Sequence, residues 1–122
     1  MRISEAESVI MELLWKRNPL GADEVVTALA KTQDWQEPTI KTLLNRLLRK
    51  GAISAGRDGR RFLYEPVLQR DDWVHHESEG LLDRLFDGRV APLVAHFSER
   101  RKLGRKDLAE LRKLIEEIDD EN

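Results

Sequence analysis

The stretch PTIKTLLNRLLRKG, residues 38–51, decides the fold of this chain. Its apolar residues recur at spacings of three and four, which is the period of one buried helix face. Pro38 suits the first turn of a helix, because an amide proton at that position would have no partner. Gly51 suits the position just after the last turn. The stretch therefore predicts an amphipathic helix.

The next stretch, AISAGRDGRRFLYEP at residues 52–66, changes period. Its two halves, 52–57 and 60–65, are typical of strands, and Asp58-Gly59 between them predicts a two-residue hairpin turn. We expect positive φ at both turn residues, as a turn of this kind requires. Pro66 is expected to end the second strand.

Two further helices are predicted upstream. Ser4-Glu5-Ala6-Glu7 has the pattern of a capping box at the start of the first helix, which Asn18-Pro19 ends. The second helix is expected over residues 22–31. Three helices followed by a hairpin is the order of a winged helix-turn-helix, so the sequence predicts a mainly α fold with a winged-helix domain at residues 1–70.

The remaining part of the chain carries three apolar stripes at helical spacing, interrupted by Asp87-Gly88. The stripes predict three short helices with no fourth partner, and a stripe of this kind is usually covered by a second copy of itself. We therefore expect a helical dimerisation domain at residues 71–122, with Trp73 as its anchor and Trp15 as an anchor of the first core. The residues expected at the dimer interface are Leu81, Leu82, Leu85, Phe86, Leu93, Val94, Phe97, Leu108, Leu111, Leu114, Ile115 and Ile118.

The charge of the chain is unevenly distributed. The formal net charge is −2, which by itself argues against binding to nucleic acid. Residues 1–37 and 71–122 are acidic, at −3 and −5, whereas residues 38–70 carry +6. A basic centre between acidic flanks is a local electrostatic footprint of the kind that DNA-binding proteins show.

The polar side of the helix at 38–51 has the side chains that DNA requires. Phosphates attract cations, and base edges accept and donate hydrogen bonds to Asn, Arg, Lys and Thr in the major groove. An ordinary solvated helix face mixes both signs of charge, but this one has no carboxylate after Glu37, and the adjacent hairpin is basic as well. The predicted DNA-binding residues are Thr39, Lys41, Thr42, Asn45, Arg46, Arg49, Lys50, Arg57, Arg60 and Arg61.

Composition and motifs argue against several other classes. The chain has no cysteine, no apolar run long enough to span a membrane and no signal-peptide pattern, which fits a cytoplasmic protein. Walker, dinucleotide and serine-hydrolase motifs are absent, so neither an enzyme nor a cofactor is expected. His75, His76 and Glu79 are interpreted as a surface helix rather than a metal site, because neighbouring residues of a helix point about 100° apart.

The chain resembles the penicillinase-repressor family (the BlaI/MecI/CopY group) over nearly its full length. The matching segments are 4–7, 14–15, 19–26, 39–47, 50–51, 59–66, 81–88, 93–97 and 108–111. The resemblance implies a homodimeric repressor that binds a palindromic operator. Carried over by position, it implies that DNA is contacted from the third helix by Thr39, Lys41, Thr42, Asn45 and Arg46, and from the wing by Arg60 and Arg61.

The resemblance also implies a route of inactivation. In β-lactam-responsive members a membrane sensor-protease signal leads to cleavage of the repressor within its tail. The bond at the matching position is His96-Phe97, where those members have Asn before the Phe. The copper-responsive branch senses metal through cysteines, which this chain lacks.

Two alternatives remain open from the sequence. A winged helix that serves as a protein–protein adaptor would have the predicted DNA-binding face covered by another chain. A non-specific architectural DNA binder would show little preference among DNA sequences.

Overall fold

The computed structural model describes residues 1–121, which form six helices and one three-stranded antiparallel sheet. Close contacts divide the chain into two compact units, Met1–His75 and a second unit that begins at His76. In chain order the elements are α1 (Glu5–Lys16), β1 (Leu20–Gly21), α2 (Ala22–Leu29), α3 (Glu37–Lys50), β2 (Ile53–Asp58), β3 (Arg61–Pro66), α4 (Arg70–Leu85), α5 (Val90–Glu99) and α6 (Arg105–Glu121).

The first unit folds around one apolar core, which α1, α2 and α3 share with the start of β2. The predicted capping box is confirmed, because the Glu7 amide donates to Ser4 Oγ and the Ser4 amide donates to Glu7 Oε1. Gly51 has φ of 77°, the left-handed conformation predicted for the end of α3. The fully buried side chains of this core include Ile10, Met11, Leu14, Val25, Ile40, Leu44 and Leu47.

The sheet contains a strand that the sequence did not predict. β1 has two residues, Leu20 and Gly21, which pair with Tyr64 and Leu63 of β3, so the strand order is β1-β3-β2. Two residues are too few to show an alternating pattern, so periodicity could not predict this strand.

The hairpin is confirmed, but its turn is shifted by one residue. Asp58 pairs with Arg61, so the two turn residues are Gly59 and Arg60. Gly59 has φ of 64°, whereas Asp58 does not have positive φ, and the expectation of positive φ at Asp58 was wrong. Glycine at the first central position is the pattern of a type II′ turn, in which this position alone requires the left-handed conformation.

Trp73 was also predicted wrongly. Its ring lies 5.4 Å from that of Trp15, and both pack against the core of the first unit. The Trp15 Nε1–H donates to the carbonyl of Leu68 at 2.8 Å. Because α4 begins at Arg70, before the first unit ends, its first turn belongs to the winged-helix core rather than to the tail.

The three tail helices are confirmed, with the predicted interruption at Asp87 and Gly88, which have φ of 51° and 71°. None of the described residues of α4, α5 and α6 is fully buried. None of the helices within residues 1–121 is long and apolar enough to cross a membrane.

Candidate DNA interface

The outward face of α3 is exposed along its whole length. Ile40, Leu43, Leu44 and Leu47 are buried on the inner side, which fixes the helix against the core and turns the polar side outward. The structure brings together six of the predicted DNA-binding residues on that exposed side, at spacings of three and four: Thr39, Lys41, Thr42, Asn45, Arg46 and Arg49.

Most of these side chains have no strong internal partner. Lys41 pairs with Glu37 at 3.1 Å, but both side chains are more than half exposed, so the pair adds little stability and can open for a phosphate. The Thr42 hydroxyl donates to the Pro38 carbonyl at 2.9 Å and keeps its acceptor lone pairs. Within residues 1–121 no hydrogen bond or ion pair holds the side chains of Asn45 or Arg46.

The wing adds two exposed cations. Arg60 occupies the turn itself, and Arg57 lies on β2 directly opposite Phe62 of β3. The Arg57 guanidinium carbon lies 5.2 Å from the centre of the Phe62 ring, within the range of a cation–π contact. The exposed Phe62 is a residue that sequence reasoning missed, because a turn at Asp58-Gly59 would place Ala55 rather than Arg57 opposite it.

Lys50 was predicted to bind DNA, and the structure pairs it with a buried carboxylate while 37% of its side chain stays exposed. Its Nζ lies 2.5 Å from Glu7 Oε1 and 2.9 Å from the carbonyl of Arg2. The side chain therefore joins the end of α3 to the start of α1, because the buried Glu7 carboxylate requires a cation.

Glu7 is a charged residue that is buried in the core of the first unit, with 1% of its surface exposed. Burial alone would raise the pKa of the Glu7 carboxyl, but hydrogen bonds from Lys50 and Ser4 outweigh it and hold that pKa below its ordinary value. The sequence analysis treated Glu7 as a cap only. The missed signal was its spacing of three and seven from Ile10 and Leu14, which puts a carboxylate on the buried stripe.

Arg61 was predicted to reach DNA with Arg60, but the structure pairs it with α2. Its Nη2 lies 2.5 Å from Glu24 Oε1 and 3.4 Å from Asp23 Oδ1. The Gly21 amide and the Arg61 guanidinium, both of which donate to Glu24, lower the pKa of that carboxyl. The Glu24 hydrogen bond in turn raises the pKa of Arg61.

The family model described as Penicillinase repressor matches residues 3–117. The chain belongs to the penicillinase-repressor family. This membership confirms the resemblance found in the sequence and, at the level of the family, the function of a DNA-binding transcriptional repressor.

Relatives of the family match either nearly the whole chain or more than half of it. The penicillinase repressor of Bacillus licheniformis is 34% identical over 116 residues, 95% of this chain and 91% of that protein. The solution structure of the DNA-binding domain of the repressor BlaI is 39% identical, with a TM-score of 0.54, over 58% of this chain and 87% of that one. The solution structure of monomeric Bacillus licheniformis BlaI in complex with the blaP half-operator is also 39% identical, with a TM-score of 0.53. The match covers 59% of this chain and 88% of that one.

In this penicillinase-repressor family member, the predicted dimerisation residues of the second unit are half-buried or exposed. Five of them, Leu82, Phe86, Leu93, Val94 and Leu111, are half-buried. The others remain largely in solvent, with exposures from 37% to 64%. They are Leu81, Leu85, Phe97, Leu108, Leu114, Ile115 and Ile118.

The predicted cleavage bond, His96-Phe97, lies within α5. The His96 ring lies 6.0 Å from the ring of Phe86 and 5.4 Å from that of Phe97. In the part of the chain from 1 to 121, the structure contains no group of three His, Asp or Glu residues that could hold a metal ion.

Proposed function

We propose that this penicillinase-repressor family member represses transcription as a homodimer that binds a palindromic operator. The first unit, Met1–His75, binds DNA, and the part of the chain from His76 onward forms the dimer. The observation that carries the proposal is the outward face of α3, which is exposed and cationic and presents Asn45 without an internal partner. A face of this kind fits the major groove of a duplex.

The residues have separate roles in this proposal. Asn45, Thr42 and Arg46 lie along α3 at a spacing that reaches successive base edges, and they read sequence. Thr39, Lys41 and Arg49 flank them, and together with Arg57 and Arg60 of the wing they contact phosphates and supply affinity. Two copies join two half-sites, so the distance between half-sites becomes part of specificity.

Support for the DNA partner comes from the relative BlaI, whose monomeric form has been solved with the blaP half-operator. This chain is 39% identical to that protein over 59% of its own length. We place the repressor in the cytoplasm, where it would meet its operator without a cofactor. A membrane sensor-protease pathway that ends in cleavage at His96-Phe97 remains a prediction for the inducing signal.

Base reading is tested with Asn45→Ala and Thr42→Ala in the full chain, measured by mobility shift on the promoter next to the protein's own gene and on random DNA. Each change is expected to weaken operator binding by about 1–3 kcal/mol and to leave random DNA nearly unaffected. Thr27→Ala on α2 is the matched control, since its exposed hydroxyl also donates to the carbonyl four residues earlier.

Two results would contradict the proposal. Equal losses on operator and random DNA would mean that α3 does not read bases and that the chain binds DNA non-specifically. If the wild-type protein binds no promoter fragment at low salt, the protein–protein adaptor becomes the better account of the exposed α3 face.

A further inference from the structure

Arg60 and Arg61 are neighbours in sequence but lie in different surroundings. Arg60 occupies the turn of the wing, and no hydrogen bond or ion pair within residues 1–121 holds its side chain. The Arg61 guanidinium is already paired with Glu24 and Asp23 on α2. Together these two carboxylates and the one cation carry a net charge of −1, so this cluster repels rather than attracts a phosphate.

The Glu24 carboxylate ties three elements together. Its Oε1 accepts from the Gly21 amide at 3.0 Å and from Arg61 Nη2 at 2.5 Å. Gly21 belongs to β1, Glu24 to the first turn of α2, and Arg61 is the first residue of β3. One side chain thus connects the outer end of the wing with the helix that precedes α3.

Gly21 provides the space that this arrangement needs. A Cβ atom at Gly21 would lie 2.5 Å from Arg61 Nη2 and 2.8 Å from Asp23 Oδ1. Its φ of −79° and ψ of 164° are ordinary extended values, so the backbone does not require glycine there. The Arg61 guanidinium occupies the place of a side chain at position 21.

The outer half of the wing has little other support. β1 pairs with β3 only at Leu63 and Tyr64, so β2 and β3 continue from there to the turn as two strands alone. A two-stranded hairpin without a third strand or a packed face is marginally stable in water. Arg61 lies within this unsupported half, next to the turn, and its side chain connects that half to α2.

We propose that Arg61 is a positioning residue and does not contact DNA. Its guanidinium lies over Gly21 and fixes the wing against α2 through Glu24 and Asp23. In this position of the wing, Arg60 and Arg57 meet DNA phosphates. This inference rests on the proposed operator binding. It divides two adjacent arginines, equivalent in the sequence, into one that contacts DNA and one that holds the wing.

The sharpest test displaces Arg61 without changing any charge. Gly21→Ala puts a methyl group where the guanidinium lies, and only the mobile ends of the Arg61 and Asp23 side chains must move. Gly56→Ala is the matched control, because Gly56 and Gly21 both pair with Leu63 and a Cβ at Gly56 meets nothing within 4 Å. Gly21→Ala is expected to weaken operator binding about two- to fivefold, the range of an exposed ion pair, and Gly56→Ala to leave it unchanged.

The salt dependence of binding separates positioning from contact. Arg60→Met removes a phosphate contact, so the slope of log K against log salt should become shallower by about 0.9. Arg61→Met and Gly21→Ala should lower the affinity without changing this slope. If Arg61→Met makes the slope shallower as Arg60→Met does, or if Gly21→Ala binds like the wild type, Arg61 is not a positioning residue.

Amide hydrogen exchange in the absence of DNA distinguishes failure of this inference from failure of the proposed function. Gly21→Ala and Arg61→Met should speed exchange at residues 57–62, whereas Arg60→Met should not, and the amides of α3 serve as the internal reference. Faster exchange in a protein that binds no promoter fragment would support the wing contact and reject the operator. Unchanged exchange in a protein that does bind would reject the wing contact alone.

Discussion

The two units of this chain use the same kind of amphipathic helix with opposite results. Among residues 1–121, the thirteen buried hydrophobic residues run from Ile3 to Ile53, in the first unit. In the second unit α4, α5 and α6 bury no described residue completely. An apolar stripe becomes a core only where another stripe of the same chain faces it, and three such stripes meet in the first unit.

The second unit leaves large side chains in water. Leu85, Val90 and Ile115 are 64%, 59% and 58% exposed, and such a surface usually marks an interaction site. Covering it with a second copy would remove apolar area from water at about 25 cal/mol per Å². The difference between the units therefore predicts two kinds of stability, one that is independent of protein concentration and one that depends on it.

The largest expected effect comes from a charge in the exposed apolar surface. Ile115→Asp would bury two unpaired carboxylates per dimer, and each costs about 3–5 kcal/mol. We expect the wild-type protein to sediment as a dimer and this variant to sediment as a monomer at the same concentration, with its first unit still folded.

Ala109→Asp is the control for this prediction. At about 100° per residue Ala109 lies nearly opposite the apolar side of α6, so the same new charge stays in water. A dimer that survives Ile115→Asp, or one that Ala109→Asp disrupts equally, would contradict the assignment of this face.

Truncation of one leucine in each unit sharpens the comparison. Leu47 is completely buried, so Leu47→Ala should lower the free energy of unfolding by about 2–5 kcal/mol at every protein concentration. Leu114 is 53% exposed, so Leu114→Ala should act mainly on the dimer, and its effect on Tm should vary with concentration. Thermal unfolding across a hundredfold range of concentration measures both, and an identical concentration dependence in the two variants would contradict the comparison.

The buried carboxylate of the first unit should make its stability depend on pH. The Glu7 side chain is 2% exposed and its Lys50 partner 37%, so Glu7→Gln should cost about 1–3 kcal/mol, less than a fully buried pair. Because the folded pKa is lowered, this contribution is complete above the ordinary glutamate value of about 4.3 and is lost as pH falls through the folded pKa. Urea unfolding of the wild-type chain and of Glu7→Gln between pH 7 and pH 3 measures the difference.

Glu12→Gln on the same helix is the control for the pH series. Glu12 pairs with Arg70 at 3.0 Å, but their side chains are 35% and 53% exposed, so its loss should change stability by less than about 1 kcal/mol. Equal acid sensitivity in Glu7→Gln and in the wild-type chain would show that Glu7 does not supply this part of the stability.

The smallest expected effect concerns helix starts. Ser4 caps α1 with its hydroxyl, whereas Gly104, which precedes α6, has no side chain to offer. Ser4→Ala should destabilise the first unit by about 0.5–2 kcal/mol, and Gly104→Ser should stabilise the second by only a few tenths of a kcal/mol. Circular dichroism melts can measure both, and a larger gain from Gly104→Ser would show that the start of α6 limits the second unit.

The amino-acid sequence by itself determined the local structure of this protein. Spacing, capping residues and turn chemistry fixed α1, α3 with its stop at Gly51, the hairpin and the three tail helices, because each depends on residues a few positions apart. The same spacing fixed which side of α3 is polar. Segment matches along nearly the whole chain also identified the family, since order and spacing are properties of the sequence.

Only the tertiary structure decided which cations are available to a ligand. Lys50 pairs with Glu7, 43 positions away in sequence, and Arg61 pairs with Glu24, 37 positions away. A pattern of residues a few positions apart cannot predict pairs that are so distant in sequence. The two-residue strand at Leu20 and the stacking of Trp73 on Trp15 depend in the same way on distant partners. A charge in the sequence therefore shows that a cation is present, whereas the packing of other elements around it decides whether that cation is free to bind.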